Sequence, residues 1–336
     1  MNQNHANPCQ PRAALRVAAA AVIALGLCQS VQAQVPGRFY WKSLSGGSAV
    51  PLIFESVSGN TNPFDSSHRV SAGAEFDATM AMAGYAQTFS LFDRSAMAAV
   101  ILPMGRLSGE ATKVVNGASV ASAQQSASGF GDPMLEFDIN LIGPKAQKTI
   151  PDAVRYEPGF SLDVLADLAL PIGEYDSKQA LNLGQNRWYG RIGAPMVMQI
   201  GSWVPGRRTT FELLPSAWIF GDNTNYVGQT LKTDPLFQLD AHLTRDFNET
   251  LWGSLDASWY NGGKATINGV AGDKRNDIAY GLTIGMQINP NTSLTFGYKS
   301  TANDSGTNDM RLDSFMITLI SGWHPIIEGS RRLKGE

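Results

Sequence analysis

Polar and apolar residues alternate along this chain in one segment after another. Between Thr250 and Asn261 the apolar positions are Leu251, Gly253, Leu255, Ala257 and Trp259, and the polar positions between them are Ser254, Asp256, Ser258 and Tyr260. Because successive side chains of a strand point to opposite faces, this pattern predicts a strand with one apolar and one polar face. Each such segment has about the length of a membrane-crossing strand. The series therefore predicts a transmembrane antiparallel up-and-down β-barrel rather than a soluble enzyme.

The first 33 residues have the features of a secretory signal peptide. Arg12 and Arg16 provide a positive region, residues 17–27 form an uncharged apolar run, and Ala33 ends a small-residue cleavage site. The run is shorter than the roughly 20 residues that a transmembrane helix needs. Lipidation at Cys28 is the weaker alternative, because the bulky Leu27 precedes it. We expect two regions, a signal peptide at 1–33 and a barrel at 34–336 with strands over about 49–323 and a short tail at 324–336.

Composition limits the partners of the mature chain. Both cysteines, Cys9 and Cys28, lie in the leader, and the formal charge of −3 becomes more negative by two charges when the leader is removed. An acidic chain is not expected to bind nucleic acid, because phosphate binding requires a basic surface. No long apolar run follows Ala33, and a closed barrel is the other structure that pairs every backbone group in a membrane. We therefore expect the outer membrane of a Gram-negative bacterium, with the lipid bilayer as partner and the barrel-assembly machinery acting during insertion.

Turn residues divide the alternating pattern into twelve predicted strands. Pro51 weakens the first of them, since proline is tolerated only at strand ends, edges and bulges. Connections after even-numbered strands are short, apart from the stretch 142–157, and connections after odd-numbered strands are long, which is typical of periplasmic turns and external loops. Ten or fourteen strands are the alternatives. The strands are predicted at about 49–57, 74–92, 96–108, 131–141, 158–170, 190–201, 208–221, 235–247, 250–263, 276–289, 292–303 and 310–323.

If the apolar face contacts lipid, the alternate positions line the lumen. Two interpretations stay open: an acid-lined passage that disfavours anions, or carboxylates that pair with inward lysine and arginine. Twelve strands give an intermediate bore, which suits small molecules rather than folded proteins. The lumen-lining candidates are Glu136, Asp138, Asp163, Asp167, Glu212, Asp240, His242, Asp256 and Lys299.

Aromatic residues concentrate near the ends of the predicted strands. This placement predicts two girdles of aromatic side chains at the membrane interfaces. The alternative is an aromatic ligand clamp inside the lumen. The residues concerned are Trp188, Tyr189, Trp203, Trp218, Phe220, Trp252, Trp259, Tyr260 and Trp323.

The sequence predicts no catalytic residue, no metal ligand and no cofactor. No His-x-His, Cys-x-x-Cys or His-Glu-x-x-His spacing occurs, which argues against a zinc site. His242 and Asp240 could act with Ser254, Ser258 and Asp256 of the next strand as base, orienting group and nucleophile. A polar lumenal face produces such a set readily, however, and no Gly-x-Ser-x-Gly elbow is present. We therefore expect a protein that is not an enzyme, with an outer-membrane hydrolase as the weaker alternative.

Five motifs resemble one known family. In chain order they are Ser128-Gly129-Phe130-Gly131-Asp132-Pro133, Leu170-Pro171-Ile172-Gly173-Glu174-Tyr175-Asp176, Asn182-Leu183-Gly184-Gln185-Asn186-Arg187-Trp188, Trp259-Tyr260-Asn261-Gly262-Gly263-Lys264 and Ser321-Gly322-Trp323. Their order over residues 128–323 resembles the MetA-pathway phenol-degradation family of outer-membrane transporters. The chain departs from that pattern at Ile172, where the family has threonine, and in the tail that continues past Trp323.

The resemblance implies a porin-like barrel that admits hydrophobic or aromatic compounds, without an assigned catalytic residue. Together with the predicted barrel, it favours a channel for passive uptake of small, hydrophobic or aromatic solutes. A structural or adhesion barrel, whose external loops bind a partner without transport, is the alternative.

Overall fold

Twelve strands form the wall of a closed antiparallel barrel, and all twelve predicted strands are confirmed. The computed structural model describes residues 36–71, 73–115, 118–302, 306 and 308–333, so the predicted signal peptide lies outside the described residues. The sheet closes because β12 pairs with β13 on one side and with β9 on the other. In chain order the strands are β1 (Ser48–Gly59), β2 (Ala74–Leu91), β3 (Arg94–Val115), β4 (Ala118–Phe130), β5 (Met134–Ile142), β6 (Phe160–Ala169), β7 (Tyr189–Gly193), β8 (Met196–Gln199), β9 (Thr209–Phe220), β10 (Asn223–Tyr226), β11 (Gln229–Thr233), β12 (Leu236–Asp246), β13 (Leu251–Gly262), β14 (Ala265–Ile267), β15 (Val270–Ala271), β16 (Arg275–Asn289), β17 (Thr292–Thr301) and β18 (Leu312–Trp323).

Two prolines mark irregular places in the wall. β1 pairs with β2 at Ser48 and Ala49 and again from Leu52 onward, so Pro51 lies where that ladder is interrupted. Pro195 separates β7 from β8, and both pieces pair with β6 on one side and β9 on the other. They therefore count as one wall strand. Since proline donates no backbone hydrogen bond, both breaks follow from its chemistry.

Three predicted loops at the long-loop end contain strands. The stretch 109–130 was expected to be a loop, but β3 and β4 form a hairpin there that extends beyond the wall. Parts of 222–234 and 264–275 form a separate four-stranded sheet with the order β10-β11-β14-β15. Small and polar residues predicted loops in these places. Backbone pairing outside the membrane requires no apolar face, so periodicity did not reveal these strands.

The opposite end of the barrel carries the short turns and both ends of the described chain. Phe92 and Asp93 form a two-residue turn with positive φ, and the longer stretch predicted at 142–157 contains helix α1 (Ile150–Arg155). Helix α2 (Pro325–Leu333) follows the last strand directly. None of the helices in the described ranges is long and apolar enough to cross a membrane.

Side chains alternate across the wall in the predicted register. Ile284 on β16 is 53% exposed on the outer surface, whereas the adjacent Thr283 is 4% exposed inside. Leu282 and Ile278 share the outer face with Ile284. The wall therefore presents an apolar surface outward and a polar one inward, which is the arrangement that a bilayer requires.

Candidate functional site

Irregular segments of the chain, in addition to strand side chains, fill the lumen. We call residues 36–47 the inner plug, since they enter the barrel from the short-turn end. We call residues 60–70, which belong to the β1–β2 connection, the outer plug. Most residues in both segments are buried, and the others are partly buried. The site is therefore a lumen that is occupied from both ends.

Arg38 attaches the inner plug to β9 and β12. Its Nη1 lies 2.6 Å from an Asp246 carboxylate oxygen, and its backbone N–H donates to Glu212 Oε2 at 2.8 Å. Trp41 Nε1 donates to the other oxygen of Glu212 at 2.8 Å. The Arg38 guanidinium also lies 4.3 Å from the Trp41 ring centroid and 4.5 Å from that of Trp252. Burial lowers the pKa of Arg38 to about 10, so the group stays cationic at neutral pH.

Lys42 attaches the same segment to β5 and β6. Its Nζ lies 3.0 Å from Asp138 Oδ1 and also forms an ion pair with Asp163, and all three side chains are buried. At Gly37 a side chain would require Ser254 and Thr244 to move, because an added Cβ would lie 2.8 Å from Ser254 Oγ and from Thr244 Cγ2. The inner plug thus places two cations among the inward carboxylates of four strands.

Helices α1 and α2 cover the inner plug at the short-turn end of the barrel. Leu44 packs with Ile327 of α2 and Ala153 of α1. The His324 Nε2 atom lies 2.9 Å from the Ser45 carbonyl oxygen. The tail that departs from the family pattern therefore forms part of the contacts that hold the plug.

Asp65 is the centre of the outer plug. Its carboxylate lies 3.2 Å from Arg187 Nη2 and 3.7 Å from Arg69 Nε, and it accepts hydrogen bonds from the hydroxyl and backbone N–H of Ser67. Burial works to raise the pKa of Asp65, but Arg187 and Arg69 outweigh it and hold the pKa below its usual value. The ring centroid of His68 lies 4.5 Å from that of Tyr260 on β13, and the two rings are tilted by 46°. The outer plug is therefore bound by charge and by ring contact.

Several motif residues form the attachment between the 171–188 loop and the wall. The carboxylate of Asp132 accepts the backbone N–H of Gly173 at 2.9 Å and that of Gln185 at 2.7 Å. Gln185 in turn donates to the carbonyl oxygen of Phe64 in the outer plug at 3.0 Å. A Cβ added at Gly173 or Gly184 would approach backbone atoms within 2.6 Å, so these positions require glycine. The motifs at 128–133, 170–176 and 182–188 thus meet around the outer plug.

The structure places all nine predicted lumen-lining residues inside the barrel, each at most 5% exposed. Asp167 Oδ2 lies 2.6 Å from Arg191 Nε, Lys299 Nζ hydrogen-bonds to the Tyr260 hydroxyl, and Asp240 accepts the Ser258 hydroxyl at 2.6 Å. These contacts, with those of Lys42, correspond to the interpretation in which inward carboxylates pair with cations and hydroxyls. Whether the nine residues line a conducting passage stays a prediction.

His242 lies in a hydrogen-bonded cluster without a nucleophile. Its Nδ1 is 2.7 Å from Asp256 Oδ1, and Asp256 also accepts the hydroxyls of Ser254 and Thr283. Ser258 donates to Asp240 instead. Neither serine contacts the imidazole, as a serine–histidine pair requires. Over the described part of the chain, no group of three or more His, Cys, Asp and Glu could hold a metal ion.

The predicted aromatic girdles are partly wrong. Trp188 and Trp259 are exposed as expected, but Tyr189, Trp218 and Tyr260 are buried inside the barrel. Trp218 Nε1 donates to Gln238 at 2.9 Å, so an inward polar partner decides its direction.

Sequence reasoning also missed both plugs. The run from Arg38 to Lys42, in which two cations flank three aromatic residues shortly before β1, was the available indication.

A closed twelve-strand barrel with an apolar outer face and a plugged polar interior defines an outer-membrane barrel protein. Residues 59–319 match the family model described as "Putative MetA-pathway of phenol degradation", and the chain belongs to this family. The resemblance drawn from the motifs is thereby confirmed. No curated protein matches the sequence at a significant level.

Solved structures of outer-membrane barrels are similar to this chain to different degrees. The COG4313 outer membrane channel from Pseudomonas putida F1 is 17% identical, with a TM-score of 0.67 over 87% of this chain and 100% of that one. The KdgM porin is 5% identical, with a TM-score of 0.42 over 82% and 99% of the two chains. The β domain of the Bordetella autotransporter BrkA is 9% identical, with a TM-score of 0.46 over 83% and 100%. The first of these agrees with the predicted outer-membrane barrel and its location.

Proposed function

We propose that this protein is a passive outer-membrane channel that takes up small hydrophobic or aromatic molecules. The observation that carries the proposal is that the lumen is closed by irregular segments rather than by the wall itself. If cleavage follows Ala33, the inner plug is a chain end joined to the barrel only at β1. Residues 36–45 could leave without breaking a backbone hydrogen bond to a wall strand, since they contact side chains and the 142–157 stretch. Gly46 and Gly47, which pair with the backbone of Thr88 on β2, would stay. Displacement of both plugs would open a bore of intermediate width.

Aromatic side chains inside the wall support the proposed solute class. The guanidinium of Arg191 lies 5.1 Å from the Trp218 ring, and the Lys299 ammonium lies 5.0 Å from the Tyr260 ring. Tyr189 stacks on Phe220 at 6.3 Å. Ring faces attract other aromatic rings through offset and edge contacts worth about 0.5–1.5 kcal/mol. Once the plugs are displaced, these rings would offer stacking positions along the passage.

A reversible crosslink tests the proposal. No cysteine follows Cys28, and an added Cβ at Gly37 would lie 3.1 Å from Ser254 Cβ, slightly closer than the roughly 3.5–4.5 Å of a disulfide. In the Gly37→Cys/Ser254→Cys variant we expect the oxidised barrel to stay closed and the reduced barrel to conduct. Planar-bilayer recordings measure conductance, and uptake of labelled phenol by a complemented deletion strain measures transport. Gly37→Cys alone, recorded under both redox conditions, is the control.

Three results would count against the proposal. Equal conductance of the oxidised and reduced double variant would show that the inner plug does not gate the barrel. A reduced barrel without conductance or uptake would favour the structural or adhesion alternative. Ester hydrolysis that disappears in His242→Ala would favour the hydrolase.

A further inference from the structure

A pocket of about 330 Å³ opens at the long-loop end of the barrel. This volume is at the lower end of the range for small-molecule sites. The β14–β15 hairpin forms one wall, with the apolar side chains of Ala265, Ile267 and Val270. Val70, the last residue of the outer plug, also lines the pocket. The lining is therefore apolar over much of its surface.

Two arginines face the same pocket. Arg275 Nη1 donates to the Asn308 carbonyl oxygen at 2.9 Å and lies 3.7 Å from Asp277 Oδ2. Arg69 Nε lies 3.7 Å from Asp65 Oδ2, and its guanidinium is 5.0 Å from the Tyr226 ring. Both carboxylate distances exceed the 2.6 Å of the Arg38–Asp246 pair. Because a guanidinium has five N–H donors, each arginine retains capacity for a charge-assisted hydrogen bond to an added anion.

One carboxylate also lines the pocket. Asp273 Oδ2 accepts a hydrogen bond from Asn308 Nδ2 at 2.7 Å, so this acid is engaged at the outer edge. Although burial works to lower it, Tyr226 and Asp65 raise the pKa of Arg69 above its ordinary value. Arg69 is therefore cationic at any physiological pH. The pocket combines two permanent cations with an apolar wall.

We propose that this pocket binds small monocarboxylates with an apolar body, of which benzoate is the simplest aromatic example. The carboxylate would lie on Arg69 and Arg275, and the ring would lie against Ala265 and Ile267. The pocket would then be the first binding site that a solute meets from the long-loop side. In naming a class of solute, this inference rests on the proposed channel function.

The position of Arg69 connects the pocket to the outer plug. Arg69 belongs to the same segment as Asp65, and a bound carboxylate would compete with Asp65 for its guanidinium. Arg187 keeps its own contact with Asp65 at 3.2 Å. A ligand in the pocket would therefore contact the outer plug, the segment that closes the lumen at this end of the barrel.

Calorimetric titration of the purified barrel in detergent, with empty micelles as blank, tests the site. We expect saturable benzoate binding, and binding of the neutral analogue benzamide that is weaker by about tenfold or more, since charge-assisted hydrogen bonds are the strong ones. Arg69→Gln and Arg275→Gln should each weaken benzoate binding by about tenfold, because each removes one cationic partner of the anion. Lys264→Gln is the matched control, since Lys264 is exposed and pairs with Asp234 at 3.3 Å outside the pocket.

A second variant acts without changing charge. Ala271→Trp would fill the pocket from the exposed β15 hairpin and should abolish benzoate binding while the barrel stays folded. Equal affinity for benzoate and benzamide, or unchanged binding in Ala271→Trp, would overturn the inference. Titration does not depend on conduction: binding without conductance contradicts the channel and keeps the site, whereas conductance without binding contradicts the site alone.

Discussion

Carboxylates on the wall near the short-turn end face cations of the inner plug. Asp138 and Asp163 contact Lys42, and Glu212 accepts the Arg38 backbone N–H and the Trp41 indole N–H. The sequence predicted that these carboxylates point inward, because strand alternation determines the face of each side chain. It did not predict their partners, because Arg38 and Lys42 come from a segment without periodicity.

The buried imidazole of His68 makes the stability of the seated outer plug depend on pH. Burial, with Lys299 and Arg275, lowers the pKa of His68 to about 3, whereas a solvent-exposed histidine titrates near 6.5. At acidic pH the displaced plug therefore binds a proton at His68 that the seated plug does not bind. The contribution of neutral His68 to the stability of the seated plug is thus lost as pH falls below about 6.5. We expect more frequent channel openings at pH 5 than at pH 7 in bilayer recordings.

His68→Asn is the control, since asparagine also tolerates the φ of +50° at this position. Asp132 lies between β4 and β5, and burial raises its pKa to about 6. Its contribution to the stability of the seated plug is therefore present at low pH and lost as pH rises. That sign is opposite to the sign of His68. The pH response should therefore disappear or reverse in His68→Asn, and an unchanged response would contradict the assignment.

Ile284 tests the outer face of the wall. It lies near the middle of β16 and is 53% exposed, so Ile284→Arg should destabilise the barrel by about 2–4 kcal/mol. Ile288 is on the same strand and face but near the membrane boundary, and Ile288→Arg should cost about 0–1 kcal/mol. Urea unfolding in lipid vesicles measures both. Equal losses would show that this face does not contact lipid.

Among the structural elements, the strands can be predicted from local sequence patterns, whereas the plugs depend on contacts between residues far apart in the chain. Each strand repeats a local pattern, so its position could be read from the residues themselves. The inner plug is defined by contacts such as Arg38 with Asp246, far apart in sequence. The hairpin β3–β4 and the four-stranded outer sheet were missed for a related reason: polar surface strands have no lipid-facing alternation.

Lys42→Gln should release the inner plug. The change leaves Asp138 and Asp163 buried without their cation, and removing one partner of a buried ion pair costs about 3–5 kcal/mol. We therefore expect a higher open probability in bilayer recordings. Lys145→Gln is the control, since Lys145 is 80% exposed and only 3.7 Å from Asp93 at the same end of the barrel. Similar open probabilities for the two variants would contradict the role of Lys42.

For the whole molecule, the strand number and the inward and outward faces could be predicted, whereas the state of the lumen could not. Alternation determines which residues face inward, and a twelve-strand barrel follows from counting segments. What fills a barrel of intermediate bore depends on loops and chain ends, whose conformation has no repeating pattern. Family motifs such as those of Asp132 and Gly173 indicated the family by their order, but only the structure shows that they hold a loop against the outer plug.

The contacts of the inner plug also bear on when this segment can reach its place during folding. Arg38 requires Glu212 and Asp246, and the plug residues Leu44 and Ser45 contact Ile327 and His324, which follow the last strand. We expect the contacts with Ile327 and His324 to form only once β18, which precedes them in the chain, has joined the sheet. Loop closure over such sequence separations is slow, because its entropic cost comes before the contacts form. We therefore expect the inner plug to reach its native position after the strands, so that a newly inserted barrel is first unplugged.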